Sequence, residues 1–175
     1  LERTETIDFT DDDIKTWDLK KLLKKVITHY ISSLEETDLL KSTKLDDYDD
    51  IILKDTETRF LRPSLYDFIA HRAVDFFIND ESELTKPIYK FNINSEDYFK
   101  SSNEFVKLSI INKDSLSLKY YATKILQELI AFHLTDDDPS ALIDVEIKRL
   151  KFIKSNASIE KKDSLYLNAL LELEK

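Results

Sequence analysis

Asp67, His71 and Asp75 stand four residues apart within one predicted helix, the spacing at which an acid, a base and an orienting group share a helix face. A hydrolase built on that stripe also needs a nucleophile, and serines are spread along the whole chain with nothing to single one out. Local hydrogen bonding with Asp67 and Asp75 is the simpler reading of His71. His29, His71 and His133 together invite a zinc site, but none has a second ligand at the spacing of a zinc-binding helix. His133 falls near a predicted helix C-terminus, where positive charge is favoured. The aspartate runs 11–13, 46–50 (broken by Tyr48) and 136–138 offer oxygens to calcium, yet without glycine none forms a known calcium loop, so they read as solvated loops and helix caps. Arg59 and Arg62, beside Phe60 and Leu61, can meet a carboxylate partner or the many local carboxylates. The spacing therefore gives no catalytic, cofactor or metal site. It leaves Asp46, Asp47, Asp49, Asp50, Arg59 and Arg62 as a partner-contact region, because loops beside a rigid helix collect binding residues.

The missing residue types exclude more. The 175 residues contain no Gly, no Cys and no Met. Without Gly there is no phosphate-binding loop, dinucleotide turn or nucleophile elbow, since each needs a backbone geometry or close approach that Gly supplies. Without Cys there is no thiol nucleophile, cysteine zinc site or disulfide. Thirty-five acidic against 26 basic residues give a net charge of -9, which repels a phosphate backbone and argues against nucleic acid as partner. No stretch has the roughly 18 to 20 apolar residues of a membrane helix, and the N-terminus lacks the form of a signal peptide. The absence of an initiating Met suggests a piece of a longer precursor, monomeric when isolated, with any targeting signal upstream.

These features predict one all-α domain over residues 1–175, an irregular or tetratricopeptide-like stack of helical hairpins. Its centre is a helix over about 64–78. Pro63 disfavours helical angles at Arg62, Ser64 caps, and Asp67 completes a capping box. Apolar residues cover nearly every side of that helix, leaving Asp67, His71, Arg72 and Asp75 as a polar stripe. Residues 1–15 read as a lightly packed lead-in. Thr16 is placed as the cap of a helix through Leu34, and 35–62 as a long connection with one helical turn. Tyr89, Phe91 and Ile93 alternate with polar residues and predict an extended arm near 88–94, followed by short turns at 95–99 and 103–108. Helices over about 115–134, 139–155 and 160–174 complete the chain, the second capped by Asp138 with Pro139 as its first residue. Ser64-Leu, Ser117-Leu and Ser164-Leu are each placed at a helix start, a faint internal repeat.

The run Arg59-Phe-Leu-Arg-Pro-Ser-Leu-Tyr-Asp-Phe-Ile-Ala-His-Arg-Ala-Val-Asp-Phe-Phe77 resembles a signature of the N-terminal helical region of Bacteroidetes alpha-2-macroglobulin-family proteins. Thr16-Trp-Asp18, Thr43 to Ile51, Lys86-Pro87, Leu126 to Leu134 and Ala141 to Val145 follow the same order, so the resemblance spans nearly the whole chain. It implies the N-terminal part of a much larger exported protein, periplasmic or at the cell surface, that traps or inhibits peptidases through other domains. No thioester or catalytic residue carries over, because this piece has no Cys. The implied role is a noncatalytic docking or structural module. Its implied partners are neighbouring macroglobulin domains or an envelope protein, with no cofactor and no membrane insertion. Two other readings follow from the residues alone: a peptide-binding tetratricopeptide-like solenoid, and the hydrolase of the Asp67, His71, Asp75 stripe.

Overall fold

The computed structural model describes residues 13–52, 56–79 and 91–174, and within them the chain is all-helical, with no strand. Most of the lead-in, residues 53–55 of the loop before Arg59, and residues 88–90 of the arm lie outside the described residues. The α-helices are α1 (Leu19–Ser32), α2 (Thr37–Ser42), α3 (Leu65–Phe77), α4 (Ser102–Phe105), α5 (Leu118–His133), α6 (Ser140–Asn156) and α7 (Lys162–Leu173). Short 3-10 turns fill Ile14–Thr16, Leu45–Tyr48, Thr56–Leu61 and Glu96–Phe99.

α3 begins as its sequence demands. Ser64 is extended, its hydroxyl accepts from the Asp67 amide, and the Asp67 side chain accepts from the Ser64 amide, which closes the capping box. Ala70, Ala73 and Val74 are fully enclosed, and Tyr66 and Phe77 nearly so. The centre is nonetheless a pair of helices. α5 is buried as deeply through Ala122, Leu126, Leu129 and Ile130, and it packs directly on α3. α6 packs on α5 and α7 on α6, while Tyr30 of α1 stacks on Phe76 with ring centroids 5.0 Å apart.

Several boundaries differ from the sequence expectation. Asp18, not Thr16, caps α1, accepting from the Lys21 amide at 2.6 Å; Thr16 closes the preceding turn by donating to the Asp13 carbonyl. The connection 35–62 carries α2 and two 3-10 turns where one helical turn was expected. Buried Leu40 and Leu45 anchor it, and Leu45 N–H to Pro63 O (2.8 Å) and Leu65 N–H to Thr43 O (2.9 Å) tie it to the start of α3. At the start of α6 the cap shifts by one residue: Pro139 is itself the cap, and Asp138 accepts from the Ser140 amide at 2.9 Å from just outside the helix. Ser64 and Ser117 cap their helices, but Ser164 lies inside α7, so the third member of the internal repeat fails. The described end of the arm is well packed: Ile93 is 1% exposed, and its carbonyl accepts from the Ser158 amide at 2.9 Å beside a single parallel bridge to Ala157.

Candidate functional site

Of the groups that spacing marks for chemistry, Asp67 and His71 lie on the buried side of α3, where α5 and α6 supply partners, and Asp75 lies at its exposed edge. Half of the polar stripe is interior. Asp67 and His71 are buried, whereas Arg72 and Asp75 are exposed. A buried carboxylate must be paired. Asp67 Oδ2 accepts from the Ser64 amide (2.9 Å) and hydroxyl (2.7 Å), and Oδ1 lies 2.7 Å from His133 Nε2. The other ring nitrogen, His133 Nδ1, is 2.7 Å from Asp136 Oδ2. Burial works against charge on His133, but the hydrogen bonds and charges of Asp67 and then Asp136 outweigh it and hold its pKa above the usual histidine value. When the ring is protonated both nitrogens donate, each to its own carboxylate, and His133 ties α3 to the loop after α5.

His71 has the opposite state. It is 1% exposed, and burial, followed by the positive charges of Arg62, Lys148 and His133, pushes its pKa down to about 2. Lys148 Nζ donates to His71 Nδ1 at 3.3 Å and pairs with Asp75 at 2.6 Å. That leaves the proton on Nε2, which sits 4.0 Å from Asp144 Oδ2, beyond hydrogen-bond reach. Asp144 itself accepts from Arg62 at 3.3 Å. Asp67 thus pairs with His133 and Ser64, whereas His71 and Asp75 share Lys148.

This arrangement has a definite chemical consequence. A serine nucleophile needs a neutral imidazole within reach of its hydroxyl, with a carboxylate behind the ring. Here the Ser64 hydroxyl donates to a carboxylate, and the imidazole lies behind that carboxylate with a carboxylate oxygen at each ring nitrogen. His71 is neutral but so weakly basic that it does not take a proton near neutral pH. His133's two carboxylates stand at opposite ring nitrogens, and among the described residues no three metal-binding side chains converge.

The partner-contact residues lie apart from this seam. Arg59 Nη2 bonds Asp49 at 3.0 Å and its Nε lies 3.6 Å from Asp46. Arg62 reaches α6 instead. Asp46, Asp47 and Asp50 are exposed, and so are Ile51 (78%) and Phe60 (54%), two apolar side chains the sequence reading did not single out. It also passed over Glu146 and Arg149, both buried in α6. Their signal was present: they share the stripe of Leu142, Leu150 and Ile153, where a charged pair three residues apart has to be internal. Arg149 donates to Glu146 (2.7 Å) and to the carbonyls of Tyr98 (2.8 Å) and Lys100 (3.0 Å), and its guanidinium lies 4.4 Å from the centre of the Phe105 ring.

No described helix is long and apolar enough to cross a membrane. No family model, curated protein or solved structure matches this chain.

Proposed function

We propose that this domain is a noncatalytic helical docking module, carried by an exported protein of the alpha-2-macroglobulin kind and acting at the periplasm or cell surface. The observation that carries the reading is the internal pairing of its reactive groups: Ser64, Asp67, His133 and Asp136 satisfy one another in a chain that joins three segments. Such a network rigidifies a scaffold and offers no free base. The surface that remains for recognition is the acidic 46–50 segment with Arg59, Arg62 and the exposed Ile51 and Phe60. A mixed acidic and apolar patch suits a neighbouring macroglobulin domain or an envelope protein.

The test is deletion of residues 1–175 from the protein that carries them. The reading expects a changed arrangement of adjoining macroglobulin domains by small-angle scattering, with peptidase trapping retained. A carrier without macroglobulin domains, or one whose arrangement is unchanged by the deletion, refutes it.

A further inference from the structure

Between the turn at 99–102, the middle of α6 and the end of α7 lies a cavity of about 100 Å³ lined by Phe99, Lys100, Glu146, Arg149, Glu172 and Leu173, among others. One of its lining side chains keeps an unsatisfied acceptor. Glu146 is 1% exposed; its Oε2 takes the Arg149 Nε–H, while Oε1 is buried with no hydrogen-bond partner. Arg149 does not serve it: its N–H groups are directed at Glu146 Oε2 and at the carbonyls of Tyr98 and Lys100. An unpaired buried carboxylate oxygen calls for a donor.

The surroundings select the donor's charge. Lys100 Nζ is drawn to Asp97 at 2.9 Å and Glu104 at 3.8 Å, so its charge is balanced outside the cavity. Arg149 is balanced by Glu146. Glu172 remains as rim charge, at the C-terminal end of α7 where the helix dipole also favours a cation. The volume equals about three waters' share of the liquid, enough for one ammonium group with a short stem. Phe99 and Leu173 provide apolar wall for that stem. An anion would meet the bare Glu146 oxygen.

We propose that this cavity binds a primary ammonium group, with Glu146 Oε1 as its acceptor and Glu172 at its rim. The group comes either from a free small amine or from a lysine side chain of a partner.

The test is an amide-resolved NMR titration of the whole chain with methylammonium, with methanol and acetate as controls, and with Nα-acetyl-lysine amide. The expected result is saturable shifts at residues 100–102, 146–149 and 172–173 with methylammonium and not with either control. Saturation with the lysine derivative as well assigns a protein lysine as the source; saturation with methylammonium alone assigns a free amine. Glu146→Gln keeps an oxygen for Arg149 and is expected to weaken binding by about tenfold or more, the loss of a charge-assisted hydrogen bond. Glu172→Gln, at an exposed position that leaves the fold alone, is expected to weaken it a few-fold and to reduce its salt dependence. No saturation with either amine, or equal shifts with methanol or acetate, means the cavity holds water only and overturns the proposal.

Discussion

Replacing Asp67 by Ala removes two things at once, and the structure lets them be separated. The capping contribution is matched by Ser64→Ala, which is expected to cost about 1 kcal/mol. The second is the carboxylate against His133, whose ring, when protonated, is then left buried with only the Asp136 carboxylate of its two. Breaking a buried ion pair from one side costs about 3 to 5 kcal/mol, so Asp67→Ala should lose about 4 to 6 kcal/mol in total. The sign with pH follows from His133. Its folded pKa is raised above the ordinary histidine value, so its stabilisation is complete below about pH 6.5 and is lost as pH rises through the folded value. Urea unfolding followed by far-ultraviolet circular dichroism at about pH 6 and about pH 9 measures both terms. The cost of Asp67→Ala should be larger at the lower pH, and His133→Gln should abolish the difference. A loss near 1 kcal/mol, equal at both pH values, would reduce Asp67 to a helix cap and refute the buried pair.

Three further outcomes follow. The His71 pKa is depressed to about 2, so its contribution is present above about pH 6.5 and declines as pH falls from there; its ring nitrogen shifts should report a neutral imidazole at about pH 4, and a charged ring there contradicts the burial argument. Phe77→Ala should cost about 3 to 5 kcal/mol, and Phe68→Ala less, because Phe77 is 1% exposed whereas Phe68 is only half-buried; equal costs would mean that the two rings are equally enclosed. Ser117→Ala should cost about 1 kcal/mol and Ser164→Ala less than about 0.5 kcal/mol, as only the first caps a helix. Equal losses would restore the third repeat.

What the sequence made legible is what local rules govern. The Ser64 capping box, the helix opening at Ser117 and the apolar stripes of α3 and α5 follow from side-chain chemistry within one turn, and the structure has them. The partners of the polar stripe were not legible, because they are set by tertiary register. His71 with Asp67 and Asp75 satisfies the four-residue rule on paper, yet Asp67 turns to a histidine on α5 and Asp75 to a lysine on α6. A helix apolar on almost all sides was the usable warning, since the polar residues of an enclosed helix must also find partners inside. The connection 35–62 was under-read for a related reason. Leu40 and Leu45 are too few for a periodic signal, and their order comes from backbone bonds to residues 63–65.

The central claim, that the histidines and Ser64 serve the scaffold and not a reaction, meets its most direct test in one assay. The purified chain and its Ser64→Ala, His71→Gln and His133→Gln variants would be screened against peptide and ester substrates at neutral pH. The account predicts no turnover above buffer for the unmodified chain and none for the variants, with His133→Gln altering only stability. Turnover by the unmodified chain that disappears with His71→Gln would contradict it and make the seam an active site.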